Sequence, residues 1–437
     1  MEAKGWGRGA LALLLGLAAC GEPPPPMEHE PTCDDQTWEV LQLGTPEDDT
    51  AAGLAVDGDC RVYFAATTHG TWGTTPTAGG TDALLGQLDP AGRLAWTTAL
   101  GSPVGDTADD LALTPDGELL LLGTTRGALP GASHLGETDL FVARYGTDGT
   151  RRWLAQRGSN QPEMAGRLAS TPEGVWMVGS TYGAPERGWE VLLERLDLAD
   201  GRPLRRHTFG TAGAPYDGEV GHAAARAPDG GLYVVGTTQG PLADTAQGSF
   251  DLFLVRFAPG GERLWARQPG TRDTDAVFDV AVDAHGDVVV LAMSYSDLIT
   301  GDFENDGRQS PFLLKFSADG ALRWMRRLGA AEDFSRARSM TLDAEGHIYV
   351  AGITTAALDG PARGGHDVFV ARYAPDGERV WARQLGSPED EEVRNVVLSP
   401  RGDVLVLGTT SGELPGGGGL LGRQDLFLAR WRADGSR

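Results

Sequence analysis

The chain has 437 residues, 63 of them glycine and 26 proline, with 41% hydrophobic residues and a formal net charge of −24 at pH 7. That composition favours many short strands and tight turns over long helices, in one large domain or a few average ones. So acidic a chain has no surface for phosphate, which excludes nucleic acid and disfavours anionic membrane faces as partners; basic partners and divalent cations remain open.

Lys4 and Arg8 precede an apolar run, Ala10 to Ala19, shorter than the ~20 residues that cross a bilayer and suited to the core of a signal peptide. The run ends in Leu17-Ala18-Ala19-Cys20, which resembles the bacterial lipobox. That resemblance implies that residues 1–19 are removed and that the Cys20 thiol is lipidated, anchoring the chain to a membrane. Residues 20–37 follow as a tether, in which Pro23 to Pro26 favours stiff polyproline II. No Asp follows Cys20, and by resemblance to enteric lipoproteins this implies the outer membrane, on its periplasmic or surface side. An envelope compartment permits a disulfide between Cys33 and Cys60; two separate thiols are the alternative, because sequence does not report Cα separation.

From residue 38 onward one unit recurs seven times, starting at Gly44, Gly101, Gly158, Gly210, Gly270, Gly329 and Gly386, at spacings of 52 to 60 residues. Each unit reads as four strands. In the sixth they are Met340 to Asp343, His347 to Thr354, Asp367 to Tyr373 and Arg379 to Leu385, with Asp-Gly turns between. The third strand alternates with period two yet is largely apolar on both faces, so each sheet needs cover on both sides. Radial stacking provides it, which predicts an all-β, seven-bladed β-propeller of four-stranded antiparallel blades over residues 38–437.

Fourth strands carry Trp96, Trp153, Trp265, Trp324 and Trp381, each five residues before the next glycine, as expected of a wedge between blades. Arg205 takes that place in the third unit. The last unit stops at Arg437, before its fourth strand, while Trp38 to Leu43 precedes Gly44 much as Trp381 to Leu385 precedes Gly386. The N-terminal strand therefore completes the last blade and closes the ring. Trp38 stands six residues before its glycine, which predicts a bulge or an altered register.

The Gly-Ser-x-x-Asp starts, Asp-x-x-Gly turns, Asp-x-Phe-x-Ala-Arg strands and Asp-Gly-x-x-x-Trp endings resemble the SBBP family of seven-bladed propeller repeats, over residues 38–437. The resemblance implies the fold and leaves function open, since propellers host many functions.

Loops joining second to third strands, and blade to blade, share one face and are long, as at Thr125 to Thr138 and Gly412 to Gln424, with acidic starts at Glu47-Asp48-Asp49 and Glu389 to Glu392. That face is expected to bind whatever is bound, and the tether is expected on the opposite, tight-turn face. No familiar catalytic motif occurs and the eight histidines form no repeated pattern. Asp82, Asp139, Asp251, Asp367 and Asp425 open third strands, with Glu190 in the third unit, and read as caps on nearby backbone amides. Asp302, Glu304 and Asp306 resemble the first half of a calcium loop, but Leu313 stands where a bidentate Glu belongs. No other cofactor is expected.

The sequence is therefore read as a monomeric, noncatalytic envelope lipoprotein whose looped face binds a protein or glycan. The alternatives are a quinoprotein-like propeller enzyme, to whose tryptophan-docking repeat the Asp-Gly-x-x-x-Trp endings look similar, and an outer-membrane assembly factor.

Overall fold

The computed structural model describes residues 32–437, apart from 184–187, 212–217, 300–309 and 329–334. Cys20 and the acidic loop of Asp302, Glu304 and Asp306 lie outside the described residues.

Seven four-stranded antiparallel sheets form a seven-bladed β-propeller. The first blade comprises Asp49–Val56, Val62–Thr68, Asp82–Leu88 and Leu94–Leu100, and strand order follows chain order from the inside outward. Each innermost strand touches those of both neighbouring blades, so the seven make a closed circle. In the seventh blade the outermost strand is Val40–Leu43, paired with Asp425–Trp431. Leu54, Phe64 and Leu84 of the first blade pack against Leu405, Leu407 and Leu428 of the seventh, so the seam is as apolar as any other junction.

The third and fourth strands of the sixth blade run Asp367–Tyr373 and Arg379–Leu385, and the second runs Ile348–Thr354. The first is longer than expected, Ser335–Leu342 instead of Met340 to Asp343. Arg336 and Arg338 interrupt its opening half, and a search for apolar runs passes over it.

Between blades the tryptophan wedge has a repeated geometry. The indole Nε1 of Trp96, Trp153, Trp265 and Trp381 donates to a carbonyl in the outer turn of the following blade, at Thr147, Leu198, Ala318 and Ala433, over 2.8 to 3.2 Å. Trp324 packs into the core between the fifth and sixth blades. Beneath the rings lie turn glycines of positive φ, such as Gly149 under Trp96 and Gly435 under Trp381; a Cβ there would meet the indole at 2.9 Å. Arg205 sits over Gly261 in the same manner and pairs with Glu262 at 3.6 Å. Trp38 donates to the Pro90 carbonyl at 3.2 Å. Neither a bulge nor an altered register appears in the closing ladder: Val40 faces Ala429 as Ala382 faces Ala371, and Leu43 faces Leu426 as Leu385 faces Val368. The extra residue instead puts Glu39, to which the amide of Arg430 donates, in the place of Trp381, and the indole comes from one residue earlier.

Residues Cys33–Asp35 form a short helical turn on the tight-turn face, and a disulfide joins Cys33 to Cys60 in the first inner turn. Arg401 in the seventh blade's inner turn pairs with Asp34 at 2.5 Å.

Candidate site on the propeller axis

Every innermost strand carries a register shift at its middle, where an extra residue is left without a partner on the second strand. A bulge of this kind turns a side chain out of the alternation of the sheet. Here it places Ala52, Asp109, Arg167 (after Gly166), His222, Phe278, Arg338 and Arg394 at one level around the axis. All except the buried Ala52 are half-buried, lining a narrow polar channel.

Much of this polarity ties blades together. The residue after the bulge reaches the next blade: Asp110 accepts from the Leu168 amide at 2.8 Å, and Asp279 accepts from the Met340 amide at 2.9 Å and the Ser339 hydroxyl at 3.0 Å. Arg167 donates to Asp110 at 3.2 Å and to the amide oxygen of Asn395 at 2.8 Å, whose nitrogen donates to the Leu54 carbonyl at 3.2 Å. Arg394 donates to the carbonyls of Ala52 and Asp109. Burial raises the pKa values of Asp109 and Asp110, against the pull of Arg394 and Arg167 respectively.

His222 and Arg338 are different. His222 Nε2 lies 3.3 Å from the Thr237 hydroxyl of its own blade. Burial, reinforced by the charge of Arg338, lowers its pKa to about 4, so the imidazole is neutral at pH 7. Arg338 lies over the Phe278 ring at 5.3 Å, and among the described residues it makes no ion pair and no hydrogen bond. Burial and then the neighbouring Arg394 lower its pKa to about 10. Beside it a cavity of about 40 Å³ is lined by Arg336, Arg338, Ile353, Glu392 and Val393. Arg336 and Glu392 stand two residues nearer the looped face, and Glu392 is exposed, so the cavity lies toward that face. The charge of Glu392 opposes the lowering at Arg338. A neutral imidazole and a guanidinium outside any hydrogen bond among the described residues supply, in one channel, a base and an anion-stabilising charge.

Two larger hollows lie elsewhere. One of about 530 Å³ is on the looped face between Pro388-Glu389 and Ser411 to Leu420. The other, about 560 Å³, is under the incoming chain at Thr32, Asp59, Arg61 and Asp89, away from the axial groups.

Sequence reasoning found the wedges and strand caps but not the axis. Asp82, Asp139, Asp251, Asp367 and Asp425 accept backbone amides at 2.6 to 3.0 Å, which occupies them structurally. The histidines gave no pattern because only His222 reaches the channel's ring. The available signal was position: Ala52, Asp109, Gly166, Phe278 and Arg394 each stand eight residues after their repeat's glycine, His222 twelve and Arg338 nine.

No family model matches the chain. Regulatory protein FlaEY of Caulobacter vibrioides is 27% identical over 178 residues, which is 37% of this chain and 18% of that protein; the chain thus spans under a fifth of the curated relative. Among solved structures, a polysaccharide lyase (ulvan lyase) is similar with a TM-score of 0.51 at 10% identity, over 90% of this chain and 96% of that one. An α-L-arabinofuranosidase of Fusarium graminearum gives 0.47 at 10% identity, over 91% and 98%. At such identity the likeness is one of fold. The expectation of a noncatalytic binding scaffold is corrected to this extent: the shared fold is also that of a polysaccharide lyase, and a sequence without a familiar catalytic motif does not argue against activity when the polar residues converge only in three dimensions.

Proposed function

We propose that this propeller is a glycan-active enzyme whose reaction takes place at the looped-face end of its axial channel. The observation that carries the reading is the convergence of His222 and Arg338 at one level of the channel, with His222 bonded within its own blade and Arg338, which lies over Phe278 of the fifth blade, in no hydrogen bond or ion pair among the described residues. Asp110, Arg167, Asp279 and Arg394 direct their hydrogen bonds to neighbouring blades; these two do not. The fold shared with a polysaccharide lyase supports a glycan over a small metabolite, and an exposed Glu392 beside the cavity gives the channel a polar mouth. On this reading the protein is an SBBP-type propeller held by lipidated Cys20 in the cell envelope, with the looped face turned outward from the membrane toward polymer.

The test is depolymerisation. Purified residues 32–437 are incubated with a panel of neutral and acidic polysaccharides, and chain length is followed by size exclusion. Shortening of at least one polymer by the wild type, and its loss in His222→Ala folded to the same melting temperature, is expected. Equal shortening by both proteins, or none by either across the panel, overturns the reading.

A further inference from the structure

The chain crosses the tight-turn face before it becomes the closing strand. Thr32 caps the helical turn Cys33–Asp35, Asp34 pairs with Arg401 in the seventh blade's inner turn, and Gln36 Nε2 donates to the Cys60 carbonyl in the first blade's inner turn at 3.1 Å. Trp38 Nε1 donates to Pro90 in the first blade's outer turn, and Val40–Leu43 pairs with the seventh blade. The closing strand is therefore fastened to the first blade at both ends, by the chain from Gly44 to Asp49 on one side and by the Cys33–Cys60 bond on the other. The contacts that join this unit to the seventh blade are noncovalent. Among them are the ladder of Val40–Leu43, the Gln42 side chain bonded to Gly412 and Leu414, and Arg394 on the Ala52 carbonyl. A strand pinned at both ends meets its partner with less chain entropy to lose than a strand free at one end.

The two cysteines differ in access. Cys60 is fully buried and Cys33 half-buried, and the cavity of about 560 Å³ has Cys33, Gly58, Arg61 and Pro90 in its wall. Its carboxylates, Asp34, Asp59 and Asp89, each pair with an arginine, so little net charge faces an incoming thiolate. We propose that the Cys33–Cys60 bond is a redox latch on ring closure, worked by an external dithiol that enters this cavity and attacks Cys33. The step is thiol–disulfide exchange. The attacking thiolate bonds to Cys33 Sγ, and the sulfur–sulfur electron pair leaves on Cys60 Sγ, which takes up a proton. The second thiol of the reductant then displaces Cys33 from the mixed disulfide. Cys33 leaves as a thiol, the dithiol becomes a disulfide, and the protein gains two electrons and two protons. An oxidised partner runs the same steps backwards. With the bond open the closing strand is held at one end, the seam loosens, and the Arg394 bridge that crosses the seam loosens with it.

Two measurements test this. In the first, the oxidised protein is mixed with reduced glutathione under native conditions, alkylated and digested, and its peptides are weighed. Glutathione is expected on Cys33, with Cys60 alkylated as the released thiol. Glutathione on Cys60, or no adduct until urea unfolds the protein, overturns attack through the cavity. In the second, hydrogen exchange compares the oxidised wild type, the wild type reduced with dithiothreitol, and Cys33→Ser, which lacks the bond and keeps Cys60. On reduction Val40–Leu43 and its partner Asp425–Trp431 are expected to exchange about tenfold or more faster. Glu391–Leu398, which carries Arg394, should follow, and Glu219–Arg226 on the far side of the ring should not change. Cys33→Ser should match the reduced wild type and ignore dithiothreitol. Faster exchange confined to residues 33–38, with the ladder unmoved, overturns the latch, because the bond then holds the incoming chain and not the seam. Equal acceleration in all seven blades overturns it as well, because the bond then adds to global stability alone.

Discussion

Arg394, on the innermost strand of the seventh blade, donates to the carbonyl oxygen of Asp109 in the second blade at 3.1 Å while also reaching the Ala52 carbonyl of the first at 3.2 Å. One side chain thus crosses the seam where the chain's two ends meet. Arg394→Ala removes a charged donor from two inner-edge carbonyls and is expected to cost about 2–3 kcal/mol, measured by urea unfolding. A loss within error of zero would show that the seam is held by the outer strand and apolar contacts alone.

The wedge over Gly261 provides a test of gain. Arg205 occupies a tryptophan's place, its ion pair with Glu262 is long and largely exposed, and the Pro259 carbonyl is available in the turn below. Arg205→Trp buries aromatic surface against the fourth blade and should stabilise by about 1 kcal/mol, whereas Trp381→Ala should destabilise by about 3 kcal/mol. Thermal unfolding of both variants checks the pair, and a drop in melting temperature for Arg205→Trp would refute equivalence of the positions.

Cys60 is the one described non-glycine residue with positive φ, 59°, and it stands where other inner turns place Gly117, Gly230, Gly286, Gly346 and Gly402. The disulfide closes a loop of sequence separation 27, for which chain entropy gives about 3.5 kcal/mol. Under reducing conditions the left-handed cysteine retains its cost without the bond. Cys60→Gly should therefore be less stable than the oxidised wild type, yet about 1 kcal/mol more stable than the reduced one. Equal stability of the reduced wild type and the variant would contradict the strain.

His222 makes acid stability testable. Its pKa falls from the model-compound value of 6.5 to about 4 in the folded state, so between those values the unfolded chain binds more protons than the native one. Stability from this group is complete above pH 6.5 and lost as pH falls toward 4, by about 3 kcal/mol. Relative to His222→Gln, the wild type should lose that much more unfolding free energy between pH 7 and pH 4. Parallel pH profiles would show that the imidazole is not held neutral.

The repeat was legible because its markers have local causes. Glycines such as Gly149 and Gly435 need positive φ beneath an indole, and the strand-opening aspartates accept amides four residues back. Each recurs at a near-constant offset. The closing strand was legible from Trp38 to Leu43 for the same reason; its ladder keeps the register of the sixth blade, and the extra residue displaces only the indole, so that Glu39 and not Trp38 faces Arg430. The axis was hidden because a bulge breaks the period of two and because its residues differ from blade to blade: Ala52, Asp109, His222 and Phe278 share a position with three arginines, Arg167, Arg338 and Arg394. Self-comparison rewards likeness, and an asymmetric site inside a symmetric ring is made of departures from it.

Hydrogen exchange with and without an oligosaccharide of a polymer that the wild type shortens is the most direct test of a functional axis. Added protection is expected in the innermost strands Glu219–Arg226, Ser335–Leu342 and Glu391–Leu398, with the outermost strands unchanged. Protection confined to outer strands or to the tight-turn face, with those three segments unaffected, would contradict it.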